Sequence, residues 1–327
     1  MKFSGCIFYL SLLSTIFAAA LLPLAAQEPS TRPRFTTAEL KAFLNKASER
    51  SDEYNKTFKD LTAEETRTTE IFDKDGLLEK RRTIVSDLII YQPASHTENG
   101  SVTEYRHVRE VDGKIVKGRD RRAVRFFERL AKARSVEEEL ERIKKESQRY
   151  DEDILLYNAP LWQGFLFHIT DTSAFEYEEI ETDRIGGREA VVVRFRQVAE
   201  DANIKIDIDA PKALKLSQPR WAGTIWLDRE TAEVLKFSKE VTARSPFFAG
   251  PLTVMTMESL FVPSDLGIMV PETIVFASFN PQTNRREIAK LEPGRQLEPE
   301  VREARRQTIR YRSFARFDVN TRFDGVK

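Results

Sequence analysis

The chain has 327 residues, 52 basic and 52 acidic, so its formal net charge is zero, and 41% of it is hydrophobic. That balance gives no electrostatic ground for nucleic acid or an anionic membrane as the main partner, and the composition is that of a folded protein. The single cysteine, Cys6, excludes an internal disulfide.

Residues 1–26 read as a secretory signal peptide. Lys2 supplies the positive start, the run from Cys6 to Leu22 is almost wholly apolar, and Pro23-Leu24-Ala25-Ala26 closes it with small residues. Cleavage is expected near Ala26–Gln27, which places the protein in the periplasm or outside the cell. An uncleaved anchor is the competing reading, but the run falls short of the ~20 residues that span a bilayer. Phe3-Ser4-Gly5 before Cys6 has the look of a lipobox, yet the cysteine precedes the apolar core instead of following it. No later segment is long and apolar enough to span a membrane. Loss of the leader removes Lys2 and Cys6, so 51 bases face 52 acids, a net charge of −1. The mature chain then has no thiol nucleophile, and export removes standing access to ATP and nicotinamide; no cofactor is expected.

Residues 27–35 carry two prolines and form an expected flexible segment; 36–327 read as one β-rich domain. Thr36 and Glu39 have capping-box spacing, and Leu40, Phe43, Leu44 and Ala47 follow at i, i+3, i+4, i+7, predicting an amphipathic helix to about 58. Strand-like stretches Glu65–Phe72 and Leu77–Tyr91 flank the turn Asp73-Lys74-Asp75-Gly76, and Thr103–Val111 with Lys114–Val116 flank Asp112-Gly113. A helical insertion at about 119–150 follows, as two helices or one broken near 133–134.

Pro160–Ile169 is the most apolar stretch after the leader and is compatible with a buried helix or a strand. Strands are then predicted at Phe175–Thr182, Ala190–Val198, Ile204–Ile208, Gly223–Asp228, Glu233–Thr242, Thr253–Val262, Val270–Phe279 and Gln307–Phe317, with 284–305 a long exposed excursion. The fold class is mainly β (α+β): a large curved antiparallel sheet or open half-barrel of about 11 strands, with amphipathic helices covering one side. A two-sheet sandwich is the alternative.

Catalytic signals are sparse. His96, His107 and His168 have no metal-ligand spacing. Asp73-Lys74-Asp75-Gly76 begins like a calcium loop, but its twelfth position is Ile84, and turn chemistry accounts for it. Glu176, Glu178, Glu179 and Glu181 are more simply a wet strand than a glycosidase pair, and Asp207 with Asp209 likewise. No nucleophile elbow, Ser-x-x-Lys or phosphate-binding loop occurs. No catalytic or metal-binding residue is assigned.

The segments Glu110-Val-Asp-Gly-Lys-Ile-Val-Lys-Gly-Arg-Asp120, Glu146-Ser-Gln-Arg-Tyr150, Gly223-Thr-Ile-Trp-Leu-Asp-Arg-Glu-Thr-Ala-Glu-Val-Leu235 and Tyr311-Arg-Ser-Phe-Ala-Arg-Phe317 resemble a family of uncharacterised exported bacterial proteins. More remotely, the Trp-Leu-Asp-x-Glu-Thr hairpin and the helix-then-meander order resemble periplasmic lipoprotein carriers of the LolA/LolB type. That resemblance implies an open half-barrel whose apolar concave face, lidded by helices, holds acyl chains. Candidate lining residues are Phe165, Phe167, Trp226, Phe237, Phe261 and Phe276. The expected function is carriage of a lipid, lipoprotein or other apolar ligand. A cell-envelope scaffold meeting a protein partner through 284–305 is the alternative, and a carboxylate-based hydrolase the third reading.

Overall fold

The computed structural model describes residues 34–91, 103–130, 136–151, 174–198, 214–282, 285–292 and 294–316. The leader, the apolar run 160–169, the strand at 204–208, His96 and His168 lie outside the described residues.

Among the described residues, eleven strands form one open antiparallel sheet. They are β1 Leu61–Phe72, β2 Leu78–Tyr91, β3 Thr103–Val111, β4 Lys114–Ile115, β5 Phe175–Ile185, β6 Arg188–Gln197, β7 Ser217–Asp228, β8 Val234–Arg244, β9 Leu252–Pro263, β10 Met269–Pro281 and β11 Val301–Arg316. Their order is β4-β3-β2-β1-β11-β10-β9-β8-β7-β6-β5. The chain therefore runs as two meanders whose first and last strands, β1 and β11, zip together mid-sheet. Antiparallel neighbours need only short turns, and Gly76, Gly113 and the pair Gly186-Gly187 adopt the positive φ those turns require.

Helix α1 (Thr37–Thr57) opens with the predicted capping box: the Thr36 amide donates to Glu39 Oε2 at 2.7 Å and the Glu39 amide to Thr36 Oγ1 at 3.3 Å. Just before it, the Phe35 amide donates to Glu179 Oε2 of β5 at 2.6 Å. At its far end Phe58 approaches Phe314 of β11, with ring centroids 6.1 Å apart. Twenty-one residues rising ~1.5 Å each give about 30 Å, which matches the distance from β5 to β11 at ~4.8 Å per strand. Helix α1 thus lies across the strands and covers one face of the sheet, burying Leu40, Phe43, Leu44 and Ala47.

Helices α2 (Arg119–Leu130) and α3 (Val136–Ser147) attend instead to the outer strand β3. Tyr105, whose neighbour Arg106 lies on the α1 face, points the other way and stacks on Phe126 of α2, with centroids 5.0 Å apart, beside Ile143 of α3. Ser147 Oγ accepts the Arg106 amide at 3.2 Å, so α3 satisfies part of an edge that β4 is too short to pair.

The connection between β10 and β11 is shorter and better anchored than its charge suggests. β11 begins at Val301, paired with Pro281, and the short α4 (Arg285–Ala289) precedes it. Ile288 and Leu297 pack on a second apolar cluster around Leu214, Val241 and Phe248, and the Leu297 amide donates to Phe247 O at 2.8 Å.

Candidate functional site

Directly opposed residues trace rows across the α1 face. One row reads Arg67, Ile309, Ile274, Ser259, Phe237, Ile225, Val193 from β1 to β6. The next reads Thr69, Gln307, Phe276, Met257, Lys239, Gly223, Phe195. Both begin polar at β1 and turn apolar toward β6.

The apolar end contains three of the expected lining residues. Phe237, Phe261 and Phe276 are buried on the α1 face within one cluster. Phe195 stacks on Phe237 at 5.7 Å, over a gap that Gly223 keeps open: a Cβ there would meet Phe195 at 2.7 Å. Trp226 is placed apart from them. Strand alternation turns it to the opposite face, where its indole donates to Asp183 Oδ2 at 3.0 Å and Lys236 lies 4.6 Å from its ring centroid. Phe165 and Phe167 lie outside the described residues. A cavity of about 140 Å³ opens between the C-terminal half of α1 and the β9–β10 turn, lined by Ser51, Tyr54, Val234, Phe261, Ile268 and Met269, among others.

Lys239 interrupts this apolar end. Its side chain is buried, its ammonium lies 3.7 Å from the centroid of Trp221, and burial pushes its pKa down to about 7.

The polar end is an ionic network that period-two alternation carries inward. Leu61, Ala63, Glu65, Arg67 and Thr69 all face α1's side of β1, and all are buried. Arg106 Nε donates to Glu65 Oε1 at 2.8 Å and its Nη2 to Glu104 Oε2 at 2.8 Å. Arg67 Nη2 donates to Asp151 Oδ2 at 2.7 Å, and Arg82 Nη1 to the Tyr150 carbonyl at 2.9 Å. Burial alone would raise the Glu65 carboxyl, but Arg106 and Arg67 overcome it and hold it below the usual range. For Asp151 burial prevails over Arg67, and its carboxyl is raised. Several buried polar atoms around this network have no hydrogen-bond partner among the described residues: Arg67 Nε, Ser86 Oγ, Gln307 Oε1, Tyr54 Oη and Tyr311 Oη. Tyr311 sits opposite Glu65 in the ladder, near its carboxylate but outside hydrogen-bonding geometry.

Elsewhere polar residues do structural work. Asp73 Oδ1 accepts the amides of Asp75 and Leu77 at 2.9 Å, closing the β1–β2 turn. In the Trp-Leu-Asp-x-Glu-Thr hairpin, Asp228 Oδ1 accepts the Glu230 amide at 3.0 Å and the Thr231 amide at 2.7 Å, while Oδ2 meets Arg188 Nε at 2.8 Å. Glu176 and Glu178 pair with Arg196 and Arg194 on the wet face, whereas Glu179 turns in to hold Phe35. His107 lies between Asp87 and Asp120, at 3.7 and 3.8 Å. Among the described residues no group of three or more His, Cys, Asp or Glu is placed to hold a metal ion, and no helix is long and apolar enough to cross a membrane.

The architecture is that of an open antiparallel sheet crossed by a helix on one face. Solved structures with remote likeness include a DUF1329 family protein from Desulfovibrio piger (12% identity, 86% of this chain and 93% of that chain, TM-score 0.30). Another is a LolA superfamily protein from Nitrosomonas europaea (11%, 85% and 94%, TM-score 0.28). A third is a domain named for outer membrane lipoprotein sorting from Vibrio parahaemolyticus (12%, 85% and 94%, TM-score 0.29). No family model and no curated protein matches the sequence.

Proposed function

We propose that the protein is an exported carrier of a long-chain apolar ligand, held on the α1 face of the sheet beneath a displaceable α1. The observation that carries this reading is the extent of the apolar cluster under one helix: it runs from Leu88 of β2 to Phe195 of β6, with α1 as the cover. The leader sequence supports export.

A cavity of 140 Å³ is smaller than the ~300 Å³ or more of a typical small-molecule pocket, so a lipid enters only if α1 moves. Lifting α1 exposes Leu40, Phe43, Leu44 and Phe58, at a cost of about 1.5–3 kcal/mol each, or roughly 6–12 kcal/mol in all. An acyl chain of roughly sixteen carbons regains about 0.8 kcal/mol per methylene, or roughly 12 kcal/mol, enough to offset that cost where a short chain does not. The helix is also lightly tied at its outer side, by Lys46 Nζ to the Glu230 carbonyl at 2.6 Å and by Arg34 to the Ile180 carbonyl at 2.5 Å.

Gentle extraction of purified protein followed by lipid mass spectrometry tests the reading, together with uptake of a fluorescent long-chain fatty acid. Co-purified acyl lipid or saturable uptake is expected. Repeated absence of both overturns it.

A further inference from the structure

The α1 face is chemically divided, and the division bears on what kind of apolar ligand it takes. A face serving a pure hydrocarbon has no use for polar atoms in its interior, because each buried donor or acceptor without a partner costs about 1–3 kcal/mol. Here the unpartnered atoms are not scattered. Ser86 and Tyr311 are the two ladder neighbours of Glu65, on β2 and β11. Arg67 is the next inward residue on β1, and Gln307 lies opposite Thr69, one inward position further on. Tyr54 closes the group from α1, electrostatically coupled to Glu104.

Four of these five are hydrogen-bond donors: the Arg67 Nε–H and the hydroxyls of Ser86, Tyr54 and Tyr311. Their natural complement is a group rich in oxygen acceptors. The buried arginines around them, Arg67 and Arg106, already face three carboxylates, Glu65, Glu104 and Asp151, so the site does not demand a further full negative charge. Tyr54 joins the two ends of the face, because its ring lines the 140 Å³ cavity beside Phe261 while its hydroxyl is buried and without a partner. A run of aromatic contacts, Tyr54 to Phe58 to Phe314 to Tyr311, leads from that cavity to β11.

Resting on the carrier reading above, we infer that the ligand is an acyl lipid with a carboxyl or ester head. Its chain lies along the apolar end over β8–β10, and its head oxygens accept from the donor group at β1, β2 and β11. The buried Glu65 and Glu104 carboxylates beside those donors disfavour anionic heads in order of charge, a phosphate most, and favour a neutral ester or a protonated carboxyl.

The test compares hexadecanoic acid, methyl hexadecanoate and hexadecane as competitors for a fluorescent fatty-acid probe on the full-length protein. It is repeated on Tyr54→Phe and Ser86→Ala, which delete unpartnered hydroxyls and leave the packing in place. The acid and the ester should displace the probe at least tenfold better than hexadecane, and each variant should narrow that margin severalfold with hexadecane unchanged. Both variants should melt no lower than the parent, since each sheds an unsatisfied buried group. Equal competition by all three compounds overturns the head-group inference and leaves the carrier reading standing. Competition by none, with no probe uptake, removes the carrier reading itself. A margin untouched by Tyr54→Phe and Ser86→Ala but abolished by Lys239→Met overturns the placement of the head and moves it to the apolar end.

Discussion

The guanidinium of Arg67 meets the carboxylate of Asp151 at 2.7 Å, with the two side chains 4% and 2% exposed. One residue sits on the inward face of a mid-sheet strand; the other follows α3, which guards the sheet's outer strand. This contact draws the chain after α3 round onto the α1 face, so it is both a fold tie and one wall of the polar end. Removing one member of such a pair strands a buried charge, at a cost of about 3–5 kcal/mol. Asp151→Ala should therefore lower unfolding stability by about that amount in urea denaturation, whereas Asp151→Asn, which keeps an acceptor for Arg67, should lose far less. Because burial raises the Asp151 carboxyl, its ionisation detracts from stability as pH climbs from the unfolded carboxylate range through the raised folded value. The deficit of Asp151→Asn should accordingly shrink between pH 4 and pH 7; a deficit that grows with pH contradicts this account.

Gly223 faces Phe195 across the β6–β7 ladder, and a methyl group there would lie 2.1 Å from the Ser238 carbonyl oxygen and 2.7 Å from the Phe195 ring. Neither neighbour can yield cheaply, since one is backbone and the other is stacked on Phe237. Gly223→Ala should cost about 3 kcal/mol or more, beyond the range of ordinary overpacking. Thermal unfolding of the variant beside Gly250→Ala, whose added methyl would meet only Pro299 at 3.6 Å, provides the internal comparison.

Most of the sheet could be read in advance because strands with one buried face alternate, and turns announce themselves with Asp-Gly and Gly-Gly. The capping box of Thr36 and Glu39 was equally plain. The polar end was not, and the reason is physical. Glu65 and Arg67 are the types that usually mark a wet face, so a strand with Leu61 and Ala63 followed by two charges on the same face looks like one that has left the core. Only the strict period shared by Leu61, Ala63, Glu65, Arg67 and Thr69 signals otherwise. The counter-charges come from Arg106 and Asp151, 41 and 84 positions away from their partners, which no local pattern announces. Trp226 illustrates the converse. It stands among the candidate lining residues, but its place between Ile225 and Leu227, both buried on the α1 face, assigns it to the other side.

The β7–β8 hairpin gives the Trp-Leu-Asp-x-Glu-Thr pattern a mechanical meaning. Burial alone would raise the Asp228 carboxyl, but the hydrogen bonds from Thr231 and the Arg188 guanidinium hold it below the ordinary aspartate range. Its stabilising effect is therefore present above the unfolded value and is lost as pH falls through the lowered folded one. Asp228→Ala should cost about 2 kcal/mol at pH 7, through two or three lost charge-assisted hydrogen bonds and a displaced Arg188. The gap between variant and parent should close toward pH 3. A gap that persists unchanged at low pH would mean that the carboxylate charge is irrelevant to the turn.

Lys239 supplies the last and most easily reversed prediction. It stands between Met257 and Gly223 in the ladder, at the apolar end of the α1 face, with its ammonium against the Trp221 ring. Burial lowers its pKa from 10.5 to about 7, so between those values the unfolded chain holds a proton that the folded protein does not. Stability then rises with pH across that window, with a slope of up to about 1.4 kcal/mol per pH unit from this group alone. Lys239→Met keeps the length of the side chain and removes the charge. At pH 7 the variant should unfold at higher urea concentration than the parent, and the advantage should shrink steadily as the pH rises toward 10 and vanish above the unfolded value of 10.5, where the parent's lysine is neutral in both states. Parallel stability curves for the two proteins between pH 7 and pH 10 would show that Lys239 stays charged in the folded sheet, with the Trp221 ring and its surroundings stabilising the cation strongly enough to cancel its burial.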